Sequence, residues 1–488
     1  MSVLDRSRTI AGAGFNRWLI PPAALAVHLC IGQVYATSVY KTALVQHFGT
    51  SQTAIGGIFS VAIVMLGLSA AIFGTWVDTN GPRKAMVASA TCWVTGFIVG
   101  SLGIFTGQLW LLYLGYGVIG GVGLGIGYIS PVSTLIKWFP DRPGLATGMA
   151  IMGFGGGALI ASPLSTALLK LYDPAAGSGT PSGDAVGKLF LTFAVLHLAY
   201  MLFGAFTIRV PADGWRPDGF DPSTVKAKAL VTDANVSANN AIRTRPFWLL
   251  WIVLFCNVTA GIGILEQAAP MIQDFFRQSD GHSLVSAAVA GGFVGLLSIG
   301  NMAGRFVWST TSDYIGRKRI YLVYLGVGAV LYLVLATVGS AATLLFVLLA
   351  FLILSFYGGG FATAPAYLRD LFGTYQVGAI HGRLLTAWSA AGVAGPLIVN
   401  GVLDARGKPG TLDAGAYHPA LFTMVALLVV GLIANLLIRP VDSRYHEPRK
   451  DGGRTAGTAG TGGRSAVSGT TRGRDQAAPT TRTATEEA

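Results

Sequence analysis

Charge is scarce in this chain of 488 residues. Only 11% of its residues are Asp, Glu, Lys or Arg, against roughly 25% in a soluble globular domain. That is too little to cover a water-facing surface, and 52% hydrophobic content with a mean hydropathy of +0.58 places the chain in lipid. Cysteine is rarer still. Cys30, Cys92 and Cys256 all lie in apolar stretches, with no Cys-x-x-Cys or Cys/His spacing, so neither disulfides, a metal nor a cofactor is expected. There is no nucleophile elbow, no metal-ligand cluster and no phosphate-cradling loop after a strand, which argues against an enzyme. Basic residues outnumber acidic ones, 34 to 22, but the excess flanks apolar segments and reads as membrane topology, which excludes nucleic acid as a partner.

Long apolar runs are what the chain has instead. Segments of the roughly 20 residues that cross a bilayer fall at 18–40, 53–76, 85–106, 109–136, 143–169 and 189–208, and again at 246–272, 284–308, 320–340, 342–366, 384–402 and 418–438. The expected fold class is an all-α polytopic membrane protein of twelve transmembrane helices in two sets of six. The 66 glycines let such helices approach closely. The first segment is too long for a signal-peptide core and lacks a cleavage pattern, so it is expected to remain. The domain boundaries follow: N-terminus 1–17, first half 18–210, polar linker 211–245, second half 246–440, and a Gly/Thr/Arg/Ser tail 441–488 expected to be disordered. With both termini in the cytoplasm, 27 of the 34 Lys and Arg lie on the cytoplasmic side. Six lie outside (Lys41, Lys170, Lys188, Arg277, Arg406, Lys408), and Arg305 is the remainder. The expected location is the cytoplasmic membrane.

Landmarks recur between the two sets. Asp78 and Gly81 match Asp313 and Gly316 at an offset of 235, Pro131 matches Pro365 and Gly148 matches Gly382 at 234, and Pro163 matches Pro396 at 233. Two repeated six-helix halves predict a substrate site at their interface near the midplane, reached alternately from each side.

Gly74-Thr-Trp-Val-Asp78-Thr-Asn-Gly81-Pro-Arg83-Lys84 resembles the loop signature of the major facilitator superfamily, and Ser312-Asp313-Tyr-Ile-Gly316-Arg317-Lys318-Arg319 resembles its second copy. Gly32-Gln33-Val-Tyr35, Lys137-Trp138-Phe139-Pro140 with Gly144-Leu-Ala-Thr-Gly148, and Asn301-Met-Ala-Gly304-Arg305 resemble the oxalate/formate antiporter family, akin to the monocarboxylate transporters. In such loops, acidic and basic groups pair with a neighbouring helix end in one conformation and part in the other. Asp78, Arg83, Asp313 and Arg317 are therefore the gating candidates, the aspartates ahead of the arginines.

Arg305 is the one basic residue inside an apolar segment, where it costs several kcal/mol unless something interacts with it. Ser298, Asn301, Arg305, Ser309 and Ser312 recur at helical spacing as a polar stripe. A guanidinium there suits a carboxylate, which it binds bidentately at any working pH. The resemblance implies the same role. The competing reading is a snorkelling arginine, since the segment is expected to end a few residues later. Tyr35, Tyr128, Tyr357 and Trp388 fall on faces that line a shared cavity, and Gln33 joins them through the helix-one motif.

Two departures from the relatives narrow the substrate. The oxalate antiporter's second cation, a lysine in helix eleven, aligns with Trp388. The titrating aspartate of the proton-coupled monocarboxylate carriers aligns with Asn301. One fixed cation favours a small monocarboxylate such as pyruvate, lactate or formate, with a dicarboxylate exchanger or a non-transporting receptor or scaffold as alternatives. His28, Glu266 and His381 are the candidates for carrying a proton. The expected partners are the bilayer, a small organic anion, and a coupled proton or counter-anion.

Overall fold

A computed structural model describes residues 3–176, 180–220, 230–232, 234–278, 281, 283–285, 287–407 and 412–447. Backbone amides in hydrocarbon have no water to bond, so each spanning segment closes its own hydrogen bonds as a helix. Among the described residues, eleven helices are long and apolar enough to cross a membrane. The first six are α1 (Arg17–Ala36), α2 (Gln52–Asn80), α3 (Pro82–Phe105), α4 (Leu109–Trp138), α5 (Pro143–Tyr172) and α6 (Gly183–Thr207). After the linker comes α7 (Arg245–Phe275). The twelfth spanning helix is α8 (Ala287–Ile315), 29 residues long, which carries the polar stripe. Then follow α9 (Arg317–Ala341), α10 (Thr343–Phe372), α11 (Val377–Leu403) and α12 (Ala414–Leu437).

Several helices start on their own caps. Ser51, Ser182, Thr244 and Asp413 accept a backbone N–H at the starts of α2, α6, α7 and α12. The halves meet where α2 packs on α11 and α5 packs on α8. The repeat noted in sequence appears here as geometry. A Cβ on Gly148 of α5 would sit 2.9 Å from the Arg305 carbonyl oxygen of α8, and one on Gly382 of α11 would run into the Ala70 carbonyl oxygen of α2. Gly81 and Gly316, just after α2 and α8, hold φ of 89° and 92°, a conformation that suits glycine.

A short strap ties each half to itself. Ile10 bridges Val210, with Ala11 N–H donating to the Val210 carbonyl at 2.9 Å, and Trp215 packs on Trp138 with centroids 4.6 Å apart. In the second half Val236 bridges His446, and Glu447 N–H donates to the Asn235 carbonyl at 2.8 Å. Residues at the start of the expected tail, His446 and Glu447, thus find backbone partners in the linker; residues 448–488 lie outside the described residues.

Gly382→Ala is expected to push α2 and α11 apart at a cost of about 1–3 kcal/mol, read as a lowered melting temperature of the detergent-solubilised protein. Gly12→Ala, where a Cβ meets nothing within 4 Å, is the control. Equal melting temperatures would refute the tight contact.

Candidate functional site

Arg305 is 0% exposed. It lies ten residues before the end of α8 at Ile315, about 15 Å along the axis at 1.5 Å per residue. The competing snorkelling reading does not fit this burial, since the guanidinium turns inward. Its Nε donates to Asn301 Oδ1 at 3.0 Å, one helical turn back on the same face. That bond fixes the plane of the fork. Asn301 thus positions the arginine, and among the described residues no carboxylate pairs with it.

An aromatic cage surrounds the fork. The Phe361 ring lies under the guanidinium with Cζ 5.1 Å from its centroid, a favourable cation–π arrangement. Trp388 packs against Phe361 at 4.6 Å and Phe154 at 5.4 Å. Tyr128 touches five of these rings, with His28 at 5.2 Å, Phe154 at 5.6 Å, His381 and Trp388 each at 5.7 Å, and Phe361 at 5.8 Å. Tyr35 packs edge-on to Phe154 at 5.2 Å and lies beside Tyr357. The guanidinium is close enough to act electrostatically on His28, Tyr35, Tyr128 and Tyr357.

Buried polar atoms are almost always hydrogen-bonded, so exceptions are informative. Among the described residues, Nη1 and Nη2 of Arg305, the Tyr128 hydroxyl and Nε1 of Trp388 are buried with no hydrogen-bond partner, whereas the Tyr35 hydroxyl is set against that of Tyr357. All four belong to this cage. They are donors on neighbouring side chains, suited to an anion with several acceptor oxygens.

The structure brings together Arg305, Asn301, Tyr35, Tyr128, Tyr357 and Trp388, with His28 and His381 at the edge. Gln33 is engaged elsewhere: its amide donates to the Tyr40 hydroxyl and accepts from the Tyr116 hydroxyl, both at 3.1 Å, inside the first half. Glu266 belongs to α7, and its side chain is outside the described part of the structure. Sequence reasoning missed Phe154 and Phe361. Phe361 stands one turn after Tyr357, a spacing that offered a signal; Phe154, in a glycine-rich run, offered none.

At the end of the bundle that carries the loops after α2 and α8, two aspartates reach across between halves. Asp313 accepts from Gly144 N–H and Leu145 N–H, both at 2.8 Å, at the start of α5. Asp78 accepts from Ala379 N–H at 2.8 Å at the start of α11, and Lys137 Nζ stands 3.8 Å away. Neither recipient helix has a capping side chain of its own, since Arg142 and Gln376 occupy the N-cap positions without capping. The arginines act within their own halves. Arg83 donates to the Val3 carbonyl at 2.9 Å and the Ala205 carbonyl at 3.3 Å; Arg317 binds Ser312, Asp313 and, at 3.3 Å, Asp370.

A two-half helical membrane bundle with an arginine wholly buried at its interface is the architecture of a secondary transporter. Residues 23–396 and 281–477 match the Major Facilitator Superfamily, and the chain belongs to that superfamily; it is a multi-pass membrane transporter and not an enzyme. It is 26% identical to the oxalate:formate antiporter of Oxalobacter formigenes over 388 residues, 78% of this chain and 83% of the relative. It is 25% identical to apicoplast pyruvate carrier 1 of Toxoplasma gondii over 373 residues, 68% and 66% of the two chains. Among solved structures, the Escherichia coli fucose:proton symporter FucP superposes with a TM-score of 0.62 over 87% of this chain and 100% of its own, at 14% identity, a likeness of fold.

Asp313→Asn replaces an acceptor by an amide nitrogen that cannot receive the second N–H. Hydrogen bonds to charged groups contribute about 1.5–3 kcal/mol, so the variant is expected to label Thr147→Cys from this end at least roughly tenfold faster, in a background with the native cysteines replaced. The exposed Asp184→Asn is the control; equal labelling rates would count against a shared cap.

Proposed function

We propose that this protein carries small monocarboxylates across the cytoplasmic membrane by alternating access, with Arg305 as the carboxylate clamp. The observation that carries the reading is the pair of unpartnered terminal nitrogens on Arg305, held in plane by Asn301 inside an aromatic cage. A planar fork with two free N–H edges matches one carboxylate. The relatives named for oxalate, formate and pyruvate agree with an organic anion. Trp388 stands in the cage at the position aligned with the antiporter's second cation, so a dianion would have one carboxylate group without a fixed counter-charge in low dielectric. The Tyr128 hydroxyl and the Trp388 N–H serve the remaining oxygens of the substrate. Asp78 and Asp313 hold the halves together at the cytoplasmic end, where both termini lie, and their release lets the halves rock.

Uptake of labelled pyruvate, lactate, formate and oxalate into proteoliposomes tests this. Monocarboxylates are expected to move faster than oxalate. Removing one partner of a buried, hydrogen-bonded charge pair costs about 2–5 kcal/mol, so Arg305→Gln and Arg305→Lys should each lower transport at least roughly 30-fold. Survival of the Lys variant would show that a point charge suffices, and an absence of transport of all four acids would leave the chain as a receptor or scaffold.

A further inference from the structure

Arg383 stands six residues after the start of α11, at the end of the bundle where Asp78 caps that helix. Its Nη2 donates to Asn239 Oδ1 at 2.7 Å, on the short helix Ala238–Ala241 that leads into α7. Nη1 is buried with no hydrogen-bond partner, and among the described residues no carboxylate pairs with this side chain. A guanidinium fixed along one edge and desolvated but unpaired along the other is short of an acceptor. The helix face that carries it continues into the bilayer. Thr386, Ala390, Val393 and Leu397 follow at spacings of three and four, and Leu397 is 68% exposed. Trp248, Trp251 and Phe255 make the adjoining strip on α7. Trp251 Nε1 donates to Thr386 Oγ1 at 2.9 Å, Phe255 stacks on Trp251 at 5.5 Å, and Trp248, 52% exposed, lies 6.2 Å from Trp251. The seam between α7 and α11 thus has a cation at its head, tryptophan along its flank and exposed apolar side chains further into the membrane.

Charge selects what fills the seam. Arg243 and Arg245, both exposed, stand where the short helix passes into α7, and neither 234–265 nor 371–403 contains an acidic residue. Glu447, on the strap that crosses here, is bonded to Asn240 at 3.2 Å and, among the described residues, forms no ion pair with these arginines. A free anion would answer the cation but not the apolar strip, whereas a phospholipid answers both. We infer that the seam between the starts of α7 and α11 binds an anionic glycerophospholipid of the leaflet at this end, with Arg383 as the phosphate ligand. Phosphate oxygens accept from Nη1, the tryptophan rings lie at the boundary between headgroup and acyl chain, and the chain runs along Val393 and Leu397. Arg243 and Arg245 set the preference for a net negative lipid, because they repel the cation that a zwitterionic headgroup carries.

Thermal unfolding of the full-length, detergent-solubilised protein tests this, because a ligand of the folded state raises the melting temperature with its concentration. The probes are dioctanoyl phosphatidylglycerol, dioctanoyl phosphatidylcholine and inorganic phosphate. Phosphatidylglycerol is expected to half-saturate at a concentration at least roughly tenfold below phosphatidylcholine, and inorganic phosphate at the same concentrations is expected to leave the melting temperature unchanged. Arg383→Gln should raise the half-saturating phosphatidylglycerol concentration at least roughly tenfold. Arg406→Gln, at an exposed arginine past the other end of α11, should leave it where it is. Asn239→Ala, which releases the fork from its anchor on the exposed short helix, should raise it roughly threefold, and this readout stands if the Gln variant does not fold. Equal half-saturation by the two lipids in the wild type, or an unchanged value in Arg383→Gln or Asn239→Ala, would overturn the lipid site. Stabilisation by inorganic phosphate at the same concentrations would overturn it too, as the mark of a free-anion site.

Discussion

Two helices of this bundle are capped by residues that are not their own. The amides opening α5 and α11 are satisfied by Asp313 and Asp78 from the opposite halves, at 2.8 Å in each case. Helix starts carry unpaired donors that must be met somewhere, and α2, α6, α7 and α12 meet theirs locally. Leaving α5 and α11 without a local cap makes closure of this end part of their stability. An N-cap contributes about 0.5–2 kcal/mol. That is enough to bias one arrangement of the halves and small enough to be exchanged in a transport cycle. Closure also brings α8 against α5, which places Arg305 among the rings of the first half.

The site divides its labour between the halves. The second half supplies the fixed charge and its positioning amide, Arg305 and Asn301. Both halves supply neutral surfaces, Tyr35, Tyr128 and Phe154 from the first and Tyr357, Phe361 and Trp388 from the second, with His28 behind those of the first. A neutral amide beside the arginine orients it without cancelling it, whereas an aspartate there would compete with the substrate for the same N–H groups.

Much of this was legible in the sequence because membrane helices write themselves in composition and because duplication left paired landmarks. Arg305, the polar stripe and the aromatic positions on several helices could be read from spacing alone. The cross-half caps could be read only in part: Asp78 and Asp313 stood out, but their recipients are backbone amides, which every residue but proline has and which leave no mark in sequence. Gln33 looked like a cavity residue because it precedes Tyr35 in a motif, yet two residues along a tight helical turn is enough to point it at Tyr40 and Tyr116. Lys137 reads as a basic loop flank until α2 places Asp78 beside it. The backbone partners of His446 and Glu447 are residues 236 and 235, some two hundred positions away, a distance at which local composition says nothing.

The straps carry a consequence for how the molecule is assembled. Residues up to Trp215 fasten to the first half, and from Thr232, whose N–H donates to the Asp370 carbonyl at 2.9 Å, the chain fastens to the second. Each half is laced shut by its own leading segment. A carrier built this way resembles two half-size subunits that happen to be translated as one. Their mutual recognition is written in the caps and the cage and not in the connection between them.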